Sequence, residues 1–435
     1  MNGITDEILA SWEQNTKSAR EDKVLSAALA KTDMGELAYV PESAAPLRGA
    51  FEVEVKTRGI TAQKKSGRCW MFAVCNICRE LVAEKLNLES FELSQNYLTF
   101  YDKLEKANNL LDMAITYAKE PLHGQRWMQI LKGVDDGGFW SQAVDLVKKY
   151  GMMPKNAFPE TYQSEHTDLF LREINRLLAK DEQILRDLVL EGKWEEANAR
   201  KDEMVGEIYR AECIAFGVPP KTFSFTWRDK DGNYGEERDL TPKSFYEKYI
   251  GLDLDAYVPI LQEPNKALHT PIIWHGMENM VGRDMFALNL PQEEMEELCV
   301  KQLRAGQAIW FACDSRAFED RKAGVWDPDS VDYPGLLGGF DYTMTKAGRL
   351  DYRQSMAVHA MILVGVGFDE NGRPARWKIE NSWGEEAGEK GYFVCSEKYF
   401  QEYVYEAVIR REYLTKEQQE DLGKKPIRIE SWEEE

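Results

Sequence analysis

One cysteine, one histidine, one asparagine and one glutamine stand in surroundings that suit nucleophilic chemistry. Cys69 ends the stretch Gln63-Lys-Lys-Ser-Gly-Arg-Cys69 and is followed by Trp70 and a largely apolar run. His359 heads the apolar segment 359–368, and Asn381 precedes Ser382, Trp383 and Gly384. A thiolate attacks a carbonyl far better than a thiol does, and a thiol ionises more readily at a helix N-terminus or beside an imidazole. Cys69 lies where a helix opens, so it is the candidate nucleophile, with His359 as its base. The side-chain oxygen of Asn381 can accept the imidazole N–H and fix the tautomer. A neutral amide suits that task because a thiolate–imidazolium pair already holds both charges. Trp383 can shield this hydrogen bond from water. The Gln63 amide and the Cys69 backbone N–H can donate to an oxyanion. Gly67 lets the backbone pass close to a substrate, and Ser66 fits a tight loop. The expected state is a sulfur held ionised by an imidazole across a groove.

Each residue alone has a plainer reading. A free cysteine behaves as a small hydrophobe, a histidine on an apolar strand can be a satisfied core residue, and Asn-Ser-Trp-Gly can be an ordinary turn. The conjunction, at this spacing, is what points to chemistry. Cys75 and Cys78 have the C-x-x-C spacing, but they fall inside the apolar helix after Cys69 with no second pair, so they read as core. His123, His166, His269 and His275 show no metal-ligand spacing. No metal or cofactor is expected, though a reactive thiol needs reducing conditions. The run 335–339 lacks the strand-to-helix context of a phosphate loop. Arg349 to Arg353 precede the histidine strand, in a position to shape a cleft wall.

These residues need elements to position them. Residues 5–29 read as a helix with Thr5 as N-cap, and 51–55 alternates like a half-buried strand. A buried helix is expected over 69–86, a further one over 91–111, and another over 140–150 after the turn 135–138. Gly151 and Pro154 end that last helix. Charged helices over 169–190 and 194–208, a hairpin over 223–238 and a short helix over 241–249 follow. Strand signals return at 308–313, 359–368, 375–381, 391–395 and 403–410, with a turn at 369–372 between two of them. The expected fold class is α+β. Its parts are an N-terminal segment 1–60 packing on the sheet half, a helical half 61–154 carrying the nucleophile, a helical insertion 155–300, a β-rich half 301–412 with His359 and Asn381, and a C-terminal arm 413–435.

The bulk numbers agree with an enzyme of this size. The chain has 435 residues, 43% of them apolar, which is enough for a substantial core. Its 55 basic and 75 acidic residues give a net charge of −20, which disfavours nucleic acid as a partner and leaves a weak attraction for cationic peptides. No apolar run is long enough to span a bilayer, and no secretory signal is expected in the polar opening residues. Seven cysteines, an odd and irregularly spaced set, argue for free thiols in a reducing cytoplasm rather than a disulfide framework.

Gln63 with Cys69-Trp70, His359-Ala360 and Asn381-Ser-Trp-Gly384 resemble the papain superfamily. Ser66 to Trp70, Glu92 to Tyr97, Phe100 to Lys103, Asp136-Gly-Gly138, Ser244 to Tyr246, Asp320 to Lys322 and Gly388 to Phe393 resemble one branch of it, the bleomycin hydrolase and bacterial aminopeptidase C family. The resemblance spans about residues 5 to 430. The long gap between Cys69 and His359 fits that branch, since the papain type separates the two by only about 130–150 residues. The resemblance implies a papain-like core with a helical insertion and a homohexameric barrel whose sites face an inner cavity. It also implies a C-terminal arm lying in the cleft, which makes the enzyme an aminopeptidase of broad specificity acting on peptides. Cys69, His359 and Asn381 carry over as catalytic and Gln63 as the oxyanion group, while Gly137 and Gly138 match the loop that pairs with substrate backbone.

The tail departs from that pattern. Family arms continue past a Trp-Asp-Pro-Met-Gly stretch, whereas here Trp432 is followed by Glu433, Glu434 and Glu435. Two consequences are open: a short arm leaves the cleft accessible for endopeptidase action, or a carboxylate such as that of Glu435 holds a substrate ammonium. A silent peptide-binding protein and a thiol acyltransferase are the remaining alternatives.

Overall fold

The structure is a computed structural model that describes residues 3–15 and 20–434. A mixed sheet forms its spine. Its central strands run antiparallel, with His359–Phe368 between Ile309–Cys313 and Pro374–Glu380. The first of these continues through Val404–Arg410 to Tyr257–Leu261, and the second through Tyr392–Ser396. The histidine strand is buried over almost its whole length because both its faces are covered. Side chains alternate across a strand. Ala360, Ile362 and Val364 therefore pack with Trp70, Val74, Trp140 and Trp310 on the helical side, while Met361, Leu363 and Val366 pack with Phe311, Trp377 and Phe393 on the other. A strand buried on two faces reads as a continuous apolar run, which is why this one was visible in sequence. Gly365 is required there: a Cβ would stand 2.9 Å from the Val53 carbonyl, where the short strand Val53–Glu54 pairs.

The helix Cys69–Lys85 lies against this strand with twelve buried residues, which makes it the central helix of the molecule. Beside it runs Gln95–Thr116, whose N-cap Ser94 accepts the Tyr97 N–H at 3.1 Å. That helix starts later than its apolar pattern suggests because Glu92 and Ser94 pair instead with Lys155 and Met153. Two long helices, Thr167–Leu190 and Trp194–Phe216, pack on it through a separate apolar cluster that includes Leu111, Leu178, Leu185 and Ile208.

The segment 155–300 is not only helical. Its helices and its hairpin, Phe223–Arg228 with Tyr234–Leu240, are followed by three strands: Tyr257–Leu261, Thr270–His275 and Met285–Asn289. These extend the main sheet, and the C-terminal strand Ile427–Glu430 pairs in parallel with Thr270–His275 at the edge. Pro259 sits inside the first of the three, a residue type that argues against a ladder position. The N-terminal helical reading also divides: Asp6–Asn15 and Arg20–Leu29 are helices, and 16–19 lie outside the described residues.

Candidate active site

The two halves are joined at the site by backbone pairing. Ala62 bridges Trp383, the Gln63 N–H donates to the Ser382 carbonyl at 2.8 Å, and the Gly384 N–H to the Thr61 carbonyl at 3.0 Å. This short ladder brings the glutamine stretch against the Asn-Ser-Trp-Gly stretch across most of the sequence. The loop between Gln63 and Cys69 is then held from below. Asp136 accepts the Gly67 N–H at 2.8 Å and the Thr167 hydroxyl, and pairs with Lys103 at 3.0 Å. Burial works against that carboxylate, but Lys103 and the hydrogen bonds outweigh it and hold its pKa well below the usual range. Arg68, almost fully buried, ties the same loop to Glu160 at 3.0 Å and to the Ser66 hydroxyl at 2.9 Å.

Cys69 is the first residue of the central helix, and the Ala360 N–H points at its sulfur at 3.4 Å. Cys69 and His359, the residue before Ala360, line one cavity. His359 Nε2 lies 2.9 Å from Asn381 Oδ1, leaving Nδ1 for proton exchange with the thiol. Asn381 Oδ1 also accepts the Ser382 N–H at 2.7 Å, so its orientation is fixed from two directions. Trp383 stacks over the imidazole with ring centroids 4.7 Å apart and planes inclined by 22°. The Arg321 guanidinium covers the indole at 4.3 Å.

Burial bears on the ionisation of both groups. Burial pushes the Cys69 thiol up, although the N–H groups of Ala360, Trp70 and Cys69 itself pull the other way. Burial likewise pulls His359 down to about 4, opposed by the Asn381 hydrogen bond and assisted by the charge of Arg321. Burial therefore opposes a charge on either group taken alone. A proton passing between them creates both charges together, and their attraction offsets the desolvation of each.

Gln63 is placed as an amide donor. Its Nε2 donates to the Ser66 carbonyl at 2.6 Å, which leaves one N–H, and its Oε1 accepts the Ser382 hydroxyl at 2.7 Å. Nothing in the sequence marked Ser382 for this task. Its neighbours Asn381 and Trp383 were the signal, and the hydroxyl's target lies far away in the chain. Asp136 was read only as a turn residue and as part of a resemblance, and Arg321 only as part of a resemblance.

The cavity has a volume of about 300 Å³ and runs from Cys69 and His359 past Gly137 and Gly138 to Gly276, Glu278 and Ser431. Gly138 packs so closely on the Trp70 indole that a Cβ would collide with it. The Gly137 carbonyl accepts from Lys106. Trp383 is not part of this lining; it covers the histidine instead. Ser431 belongs to the C-terminal arm. Arg126 holds that arm through Glu430 at 2.9 Å, with its guanidinium between the rings of Tyr117 and Trp432, 4.3 and 4.4 Å from their centroids. Glu433 turns back on its own strand to accept the Glu430 N–H at 2.9 Å. Glu435 lies outside the described residues. Among the described residues, one group of metal-ligating type does assemble despite its sequence spacing: ligand atoms of His275, Glu278 and Asp284 lie within 4.8 Å of one another. No helix among them is long and apolar enough to cross a membrane.

A helical half and a sheet half, with a cysteine at a helix start and a histidine on a strand lining one cavity, define a papain-like cysteine peptidase. The chain belongs to the peptidase C1-like family, whose model matches residues 3–434. It is similar to aminopeptidase C of Streptococcus thermophilus, 38% identical over 95% of this chain and 93% of that one. It is also similar to aminopeptidase G of Lactobacillus delbrueckii subsp. lactis, 38% identical over 99% and 98%. The crystal structure of PepW from Lactobacillus rhamnosis superposes with a TM-score of 0.96 at 36% identity, covering 99% of this chain and 98% of that one.

Proposed function

We propose that this protein is a cysteine aminopeptidase that releases residues from the free N-terminus of peptides. The observation that carries the reading is the arm: Ser431 lines the same cavity as Cys69 and His359. A cleft occupied beyond the reacting centre has room for the N-terminal residue of a peptide and little before it. The endopeptidase alternative required a tail too short to reach the cleft, and the position of Ser431 speaks against it.

In this reading the thiol proton passes to His359 and the sulfur attacks the substrate carbonyl. The oxyanion meets the Cys69 N–H and the free N–H of Gln63. Collapse breaks the C–N bond, the imidazolium protonates the leaving amine, and a thioester remains. Water, deprotonated by His359, attacks the thioester and releases the amino acid with the thiol restored. Asn381 keeps the imidazole in the required tautomer, and Trp383 excludes water from that bond.

The test compares aminoacyl amides with their N-acetylated counterparts. Turnover of the free-amine compounds alone is expected. Equal turnover of both overturns the reading in favour of an open cleft.

Assembly as a homohexamer and a cytoplasmic setting belong to the same reading. The resemblance supports both, the seven free cysteines support the second, and the exposed Ile8, Leu9 and Trp12 on an N-terminal helix support the first. Light scattering is expected to give about six times the 50.1 kDa chain mass, and a monomer's mass would exclude the hexamer.

A further inference from the structure

We propose that Arg321 is a positioning residue for the reaction: its guanidinium holds the Trp383 indole against His359 and sets a fixed positive charge beside the imidazole. This rests on His359 acting as the base in the reading above. It gives a task to a side chain that lies outside the cavity lined by Cys69 and His359.

Trp383 joins the two groups. Its ring centre lies 4.7 Å from that of the imidazole, with planes inclined by 22°, and 4.3 Å from the guanidinium carbon. The rings of Trp326 and Phe393 meet it edgewise, at 6.0 and 5.5 Å and inclined by 62° and 85°. The indole is only half-buried among these contacts, and the exposed Arg321 is the cation set over it. A guanidinium suits this place because it is planar and is drawn to the negative face of an aromatic ring.

The segment that carries Arg321 is anchored by its backbone. It is the turn between the short strands Glu319–Asp320 and Val325–Trp326, and the second of these pairs with Tyr392–Ser396 of the main sheet. Asp320 closes the turn: its carboxylate accepts the Ala323 N–H at 2.6 Å and its carbonyl the Gly324 N–H at 2.9 Å. The Arg321 carbonyl accepts the Gly388 N–H at 3.2 Å. Gly324, at φ +70°, packs so tightly there that a Cβ would stand 2.7 Å from the Gly388 Cα. The turn is therefore fixed to the loop that follows Trp383, which brings Arg321 to the indole.

Few charges face this imidazole. Its neighbours are the thiol of Cys69, on which Asp136 acts, and the neutral amide of Asn381. Arg321 is the charge that reaches His359, and it works in the same direction as burial. Beside Arg321, burial pushes the Glu319 carboxyl up to about 7, with Asp320 adding to the rise and Arg321 opposing it. Below that pH Glu319 is mostly protonated and does not cancel the guanidinium. Lys322, Glu385, Glu386, Glu389 and Lys390 are exposed on the turn and the adjoining loop. A positive charge in this place opposes the imidazolium, so the base stays free to accept a proton down to lower pH.

The experiment records kcat/KM against pH for wild type, Arg321→Met and Arg321→Lys on a free-amine reporter, at low and high salt. In Arg321→Met the acidic limb should move upward by about 0.5 pH unit, the order expected for loss of one exposed charge beyond contact distance. The plateau should fall about 2- to 5-fold with the loss of the cation from the indole. A merely structural role would lower the plateau and leave the limb in place. Arg321→Lys should return the limb to its wild-type position and recover only part of the plateau, since an ammonium keeps the charge but not the planar stack. High salt should raise the wild-type limb more than that of Arg321→Met. An unmoved limb in Arg321→Met, or a raised limb in Arg321→Lys, overturns the proposal. Should Arg321→Met fail to fold, the wild-type salt dependence decides, and a limb insensitive to salt counts against Arg321. Activity that survives His359→Ala would mean that the reading of the base has failed, which is distinct from failure of Arg321 alone.

Discussion

Cys69→Ala is expected to lower kcat/KM on aminoacyl amides by at least about 10⁴-fold while leaving the fold intact, since removal of a nucleophile from a unit of this kind leaves only binding and oxyanion contributions. The side chain being removed is small, and its hydrogen-bond partner is a single amide, Ala360 N–H at 3.4 Å. Circular dichroism and melting should therefore change little, so lost activity cannot be ascribed to unfolding. The wild-type pH profile adds a second reading of the same pair. His359 is held down to about 4, so the imidazole stays uncharged and able to accept a proton well below the usual histidine range. Activity that requires the neutral base is present above that value and is lost as pH falls through it. The acidic limb of kcat/KM should accordingly lie well under pH 6. A limb near 6.5 would contradict the burial argument, and turnover by Cys69→Ala would remove the thiol from the mechanism.

The second large effect is expected at the oxyanion donor. Gln63→Ala should reduce kcat by about 10²–10³-fold with KM altered far less, because the donor faces charge that appears only in the transition state. The Ser382 hydroxyl aims that amide by donating to its Oε1 at 2.7 Å. Ser382→Ala should thus show a smaller loss, and the double variant should fall no further than Gln63→Ala alone, since the two act through one group. Additive losses would mean that Ser382 works independently, and a Gln63→Ala loss expressed wholly in KM would assign Gln63 to ground-state binding. Both are read from steady-state kinetics on a free-amine reporter.

The pattern of what could be read in advance follows from the range of the forces involved. The central helix and the histidine strand were legible because their signals are local. The first is an apolar run of helical length opening at Cys69; the second is a continuous apolar strand whose two faces meet two different cores. The strands Tyr257–Leu261 and Thr270–His275 were hidden within 155–300 because each has a remote ladder partner, and Met285–Asn289 pairs with those two. Val404–Arg410 and Ile427–Glu430 lie far along the chain, and Pro259 masks one local pattern.

The same division holds at the site. By itself the sequence determined the cysteine, histidine, asparagine and glutamine and the chemistry their types allow, since reactivity is a property of a side chain and its near neighbours. Only the tertiary structure decided that Ser382 orients Gln63, that Asp136 grips the Gly67 loop, and that Ser431 of the arm lines the cavity. It also decided that burial opposes a charge on the thiol or the imidazole taken alone. Those are matters of desolvation and of contacts between segments hundreds of residues apart, and a burial penalty has no value until the atoms that exclude water are in place.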